Sequence, residues 1–186
     1  MAAPRVLGLD SSGPHIAVAA ISAGQVSSRA ESMARGQAER LIGFVEALLR
    51  DLGLGYRDID AIAVGTGPGN FTGIRISVAT AKGLGLALGL PVYGFDGFAQ
   101  RLHLRPQDPP TIPAPRGQCY VLREGRPTMI EAGACLWSPD PKQLAHALAE
   151  LGAAAWPAPP VARVSPTYVK PPDAAPPRDA APAIRP

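Results

Sequence analysis

The residues whose types and spacing come nearest to a working part lie between Gly65 and Arg75, in the run GTGPGNFTGIR. Locally this reads as the end of a strand, a tight glycine loop and the start of a helix. Such a helix start presents unpaired N–H groups that can hold an anion. The candidate residues are Gly67, Gly69, Phe71, Thr72, Gly73 and Arg75. Two nucleotide motifs fail here. A G-x-G-x-x-G beginning at Gly65 needs glycine where Asn70 stands, and no Gly-Lys-Ser/Thr follows at the P-loop offset. The competing reading is a sharp turn whose glycines let the helix pack close to the sheet. Residue types favour the turn but leave the anion reading open.

A second candidate is Asp10 with Ser11, at the end of the first apolar run. In actin-like ATPases an aspartate in this place holds the metal–water shell of the nucleotide. The turn that follows, Ser11-Ser12-Gly13-Pro14-His15, has one glycine and a proline that donates no N–H, so it makes a poor phosphate cradle. Asp10 as a turn cap is an equal reading. Other chemistry is thin. No two of His15, His103 and His146 lie three to five residues apart, which excludes a helical metal pair. His15 reads as structural and His146 as solvated. There is no Gly-x-Ser-x-Gly elbow. Cys119 and Cys135 form neither a zinc knuckle nor a disulfide framework, so a reducing cytosol is expected.

The elements that must position these residues follow from periodicity. Arg5–Asp10, His15–Ile21 and Gln25–Ser32 read as strands joined by turn residues. Ala38–Leu52 reads as a helix, with Ala38, Leu41, Ile42, Val45, Leu48, Leu49 and Leu52 on one side. Phe44 at the stripe edge widens the apolar arc to about 160°, beyond the roughly 100° that a core-facing helix needs. Asp60–Thr66 reads as a buried strand, and Ile74–Leu88 as a helix whose polar residues are Arg75, Ser77, Thr80 and Lys82 alone. A helix apolar nearly all round is covered nearly all round. In so small a protein the expected cover is another chain, contacting Phe44, Ile76, Ala79 and Leu86; the alternative is a central helix beneath a second domain. Pro91–Phe95 reads as a strand and Phe98–Leu104 as a short helix. Cys119–Arg123 and Thr128–Ala132 flank a hairpin turn at Glu124-Gly125-Arg126. Lys142–Leu151 reads as an amphipathic helix capped by Ser138 or Asp140, with Pro141 in its first turn.

With 186 residues, 46% of them apolar, the chain can bury a core. Its net charge of +3 is spread thin, without the stripe that duplex binders carry. The longest apolar stretch, Gly83–Phe95, is too short and too rich in glycine to span a bilayer, and no signal-peptide pattern opens the chain, so a cytoplasmic, non-membrane protein is expected. Composition shifts near residue 105, where glycine gives way to proline, and Pro171–Pro186 is a Pro/Ala run without the apolar content to fold.

Taken together, Val6–Ser11 (VLGLDS), Ala63–Ile76 (AVGTGPGNFTGIRI) and Ala79–Leu90 (ATAKGLGLALGL) resemble the TsaB (YeaZ-type) family of the bacterial tRNA threonylcarbamoyladenosine machinery. Gly67–Arg75 is the most specific mark. The match runs through residues 5–100 and resumes at Pro115–Tyr120 and Pro166–Lys170. The resemblance implies an α/β fold of the actin/hexokinase-like (ASKHA) type with two lobes. Residues 1–105 would form the first lobe, 106–170 a shortened second lobe, and 171–186 a loose tail. It further implies a subunit with no catalytic or metal-binding residues of its own. Such a subunit pairs through its first two helices with a TsaD-like catalytic subunit, or with itself as a homodimer. A TsaE-like ATPase docks on the pair, and tRNA is met only through the complex. ATP and a metal are then used by the partners, and no cofactor is bound by this chain alone. Two rivals remain at this stage: a stand-alone actin-like nucleotide-binding protein and a metallopeptidase.

Overall fold

The computed structural model of the chain describes residues 3–131, 135, 137–160 and 163–169. Two apolar runs open it. Val6–Asp10 forms β1 and His15–Ser22 forms β2, paired antiparallel with Leu7 opposite Ala20 and Leu9 opposite Val18. β3 (Gln25–Ser32) joins β2 through the turn Ala23-Gly24, both at positive φ. Helix α1 (Gln37–Asp51) crosses to β4 (Ala61–Gly65), which runs parallel to β1. Helix α2 (Phe71–Leu88) crosses to β5 (Val92–Phe95), parallel to β4. The mixed sheet has the order β3-β2-β1-β4-β5.

Period-2 alternation decides which helix covers which face. Leu7, Leu9, Ile16, Val18, Ile62 and Val64 project to one face, where Leu41, Val45 and Leu48 of α1 and Ile74 and Val78 of α2 close the main core. The other face is built from Ala17, Ala19, Ala61 and Ala63 with Val6 and Gly8, and α4 (Pro141–Ala155) lies across it. Small residues allow that close approach. A Cβ on Gly8 would come within 2.6 Å of the Ala145 carbonyl oxygen, and one on Gly152 within 2.8 Å of Ala63 Cβ and Val6 Cγ1. So α4, which lies beyond the composition change at residue 105, returns to the sheet formed before it. Asp140 caps it, accepting from Lys142 N–H at 2.8 Å, while Gln143 Oε1 accepts from Asp140 N–H at 3.0 Å.

Helix α3 (Gly97–Leu104) follows β5, capped by Asp96. A small antiparallel sheet of β6 (Thr111–Pro113), β7 (Cys119–Arg123) and β8 (Arg126–Ile130) packs on it through Phe98, Ile112 and Tyr120. β6 went unread because a three-residue strand ending in proline carries no periodicity. β8 starts two residues before the expected Thr128, because Glu124-Gly125 alone make the turn, both at positive φ. α2 starts three residues earlier than Ile74, because Asn70 is its cap. Cys119 and Cys135 lie side by side with Cα atoms 5.9 Å apart, since the hairpin carries the chain back beside β7. No helix among the described residues is long and apolar enough to cross a membrane.

The close seat of α4 sets a contrast between two glycines. Gly152→Val should lower unfolding free energy by about 1–3 kcal/mol in urea titrations, because the added atoms force α4 off the sheet. Gly43→Ala meets open space on exposed α1 and should raise stability by about 0.5–1 kcal/mol.

Candidate functional site

Asp10 ends β1 fully buried, and its Oδ1 gathers three donors: Ser12 N–H at 2.9 Å, the Ser12 hydroxyl at 2.8 Å and His15 Nε2 at 3.0 Å. Burial alone would push this carboxyl up. The hydrogen bond and charge of His15, with the two Ser12 bonds, outweigh it and hold the group below the usual carboxylate range. Gly65 is required beside it, because a Cβ there would overlap Asp10 Oδ2. On α3, Arg101 is buried with its Nη1 on the Gly97 carbonyl at 3.0 Å; burial pushes its pKa down to about 10 against the opposing pull of Asp10. Asp10 is thus both a turn cap and an internal counter-charge.

The glycine loop is wrapped around this turn. Gly67 has φ +92°, and its carbonyl accepts from Gly97 N–H at 2.8 Å. Asn70 N–H donates to the Ser12 carbonyl at 2.6 Å, and Asn70 Oδ1 accepts from Gly73 N–H at 2.9 Å. The Ser11 hydroxyl donates to the Gly73 carbonyl at 2.7 Å. A Cβ on Gly69 would overlap the Ser12 carbonyl oxygen, and one on Gly73 the Ser11 carbonyl oxygen. Gly69 and Gly73 thus lie hard against the Ser11-Ser12 backbone, the close packing that the tight-turn reading requires.

Phe71, Thr72 and Arg75 belong to the first turns of α2 rather than to the loop. Thr72 faces solvent beside the start of α1. The Arg75 guanidinium lies 3.8 Å from the Phe71 ring centroid, and its Nε donates to the Tyr168 hydroxyl at 2.9 Å. Thr167 N–H donates to the Thr66 carbonyl at 2.7 Å. The two sequence marks at Gly67–Arg75 and Pro166–Lys170, some ninety residues apart, meet here. Lys170 lies outside the described residues. Sequence reading missed Gln37, which is buried and donates through Nε2 to the Gly13 and His15 carbonyls at 3.0 and 2.7 Å. Its partners lie more than twenty residues upstream, so no local pattern marks it.

The expected partner face is partly corrected. Ala79 is exposed, Ile76 half-buried and Leu86 88% exposed. Phe44 is 8% exposed and belongs to the core, with Arg40 lying over its ring at 5.7 Å. Ile42, read as core, is 39% exposed and takes Phe44's place. The apolar arc was wider than the sheet could cover, and the helix settled with its Phe44 edge inward. His103 and His146 both reach Glu150, at 2.8 and 3.4 Å, joining α3 to α4. Among the described residues no group of three or more His, Cys, Asp or Glu side chains is placed to hold a metal ion.

Comparison with known proteins gives four matches. The family model described as tRNA N6-adenosine threonylcarbamoyltransferase (TsaD) matches residues 25–130. The Escherichia coli protein named tRNA threonylcarbamoyladenosine biosynthesis protein TsaB is 37% identical over 90 residues, 48% of this chain and 39% of that one. An uncharacterized Mycobacterium tuberculosis protein is 54% identical over 61 residues, 33% of this chain and 29% of that one. These matches span well under half of the curated relatives' length. The solved structure of YeaZ from Pseudomonas aeruginosa superposes with a TM-score of 0.60 at 26% identity, covering 86% of this chain and 100% of that one. The architecture is α/β of the actin/hexokinase-like type.

The wrapped loop predicts that Gly69→Val and Gly73→Val each melt earlier than wild type, by about 1–3 kcal/mol in unfolding free energy. The lowered pKa of Asp10 sets a pH window. Its stabilisation is fully present above the unfolded-chain value of about 3.9 and is lost as pH falls through the lower folded value. The stability gap between wild type and Asp10→Asn, read by chemical denaturation, should therefore close below about pH 4.

Proposed function

Since the chain belongs to the tRNA N6-adenosine threonylcarbamoyltransferase family and lies on its TsaB/YeaZ side, we propose that it is a non-catalytic subunit for tRNA threonylcarbamoyladenosine biosynthesis that pairs with a TsaD-like catalytic subunit. The observation that carries this reading is the bare apolar crest of α2. Leu86 is 88% exposed, and Ala79, two turns before it on the same side of α2, is exposed as well; Ile76 beside Ala79 is half-buried, and Ile42 of α1 is 39% exposed. A helical pair with a greasy, small-residue outer face is suited to a four-helix contact with a second pair, where small residues let backbones come close. The use of Gly69 and Gly73 to seat the loop against the Ser11-Ser12 backbone supports a scaffold over a stand-alone nucleotide binder.

In this reading the protein works in the cytoplasm, takes no cofactor of its own and reaches tRNA through the complex. ATP and a metal serve the catalytic subunit and a TsaE-like ATPase that docks on the pair. The same helices pair two copies of this chain when the catalytic subunit is absent.

Co-expression with the TsaD-like protein of the same cell, followed by size-exclusion chromatography, tests the pairing. The two should elute as one complex, and transfer of threonylcarbamoyl to tRNA should need the partner. Ala79→Glu should abolish the complex while circular dichroism stays native, since an unpaired carboxylate buried in an interface costs about 3–5 kcal/mol. A folded Ala79→Glu protein that still co-elutes moves the contact off this crest. Transfer by the isolated chain rules out a non-catalytic subunit.

A further inference from the structure

Resting on the pairing proposed above, we infer that the partner helix docking on α2 carries carboxylates along one edge, and that Arg75 and Lys82 receive them. α2 bears two charged residues, Arg75 and Lys82, both cationic, whereas α1 mixes signs with Glu39, Arg40, Glu46, Arg50 and Asp51. Their seven-residue separation places them about 20° apart around α2 and about 10 Å apart along it. They form a line beside Ala79 and Leu86, on the flank away from Ile76 and α1. Neither pairs with a carboxylate among the described residues. On α1, by contrast, Arg40 and Asp51 are paired to Glu31 and Arg29 of β3.

Arg75 is held ready for such a contact. Its Nε is engaged by the Tyr168 hydroxyl at 2.9 Å, and its plane rests on Phe71. That leaves the two Nη groups, the fork that grips a carboxylate in two parallel bonds, without a partner among the described residues. The position also runs against the helix's own field. A cation folded back over the first residue of α2 sits at the positive end of the macrodipole, where an incoming anion relieves the repulsion. A second copy docked antiparallel through the same crest sets this cationic edge against itself. An acidic edge on a different chain does not, so the surface selects the catalytic partner over the antiparallel homodimer.

The test titrates the full chain against the TsaD-like subunit at low and raised salt. Wild-type binding should weaken as salt rises. The double variant Arg75→Gln, Lys82→Gln should bind about tenfold more weakly at low salt and lose most of that salt dependence. Tyr168→Phe keeps the charge but releases Nε, and should fall between the two. Circular dichroism and melting check each variant; should the double variant unfold, Lys82→Gln alone carries the test with a loss of about threefold. A folded variant with wild-type affinity and salt slope, beside an Ala79→Glu that abolishes binding, overturns the carboxylate inference and leaves the pairing intact. The same holds for a loss of equal size at every salt concentration. A wild-type chain that fails to bind the catalytic subunit at any salt overturns both.

Discussion

One turn sets where both helices on the main-core face of the sheet begin. Asp10 is a charge placed where water does not reach, tolerated because Ser12 and His15 supply donors to its Oδ1. Closing the turn sets four of its backbone carbonyls against the two helix starts. The carbonyls of Gly13 and His15 receive Gln37 at the start of α1, and those of Ser11 and Ser12 press against Gly73 and Gly69 at the start of α2. Both helices therefore begin at the same end of the sheet and run in the same direction. Their outer surfaces become one surface because one buried carboxylate fixes where each of them starts.

That arrangement exchanges one use of a glycine-rich loop for another. A helix start with free N–H groups is an anion site; here Asn70 caps the Gly73 N–H, and its own N–H is taken by the Ser12 carbonyl of the neighbouring turn. The glycines are needed for closeness to protein rather than to phosphate. It is from this closely packed end of α2 that Arg75 reaches Tyr168.

Much of this was legible in the residues. The alternation Ile16-Ala17-Val18-Ala19 set the two faces of β2, β3 was bounded correctly at Gln25–Ser32, and Asp140-Pro141 announced α4. These are signals spent within a few positions. The start of α2 was misplaced because Phe71-Thr72-Gly73 look like loop until Asn70 is seen to cap them. Ile42 and Phe44 exchanged roles because a stripe wider than its cover does not say which edge is left out. Gln37, and the meeting of Arg75 with Tyr168, depend on contacts 22 to 93 residues apart, which no window of periodicity contains.

The late position of α4 has a consequence for how the chain is made. The alanine face of the sheet is complete in sequence once Phe95 has been added, but the helix that shields it begins at Pro141. A ribosome adding about 5–20 residues per second leaves that face bare for a few seconds of synthesis. Alanine and glycine suit such an interval. They give a nascent sheet little grease with which to capture its neighbours, while still allowing α4 to settle close once it emerges. The same economy of side-chain volume that sets the distance between helix and sheet thus also tempers the hazard of vectorial folding.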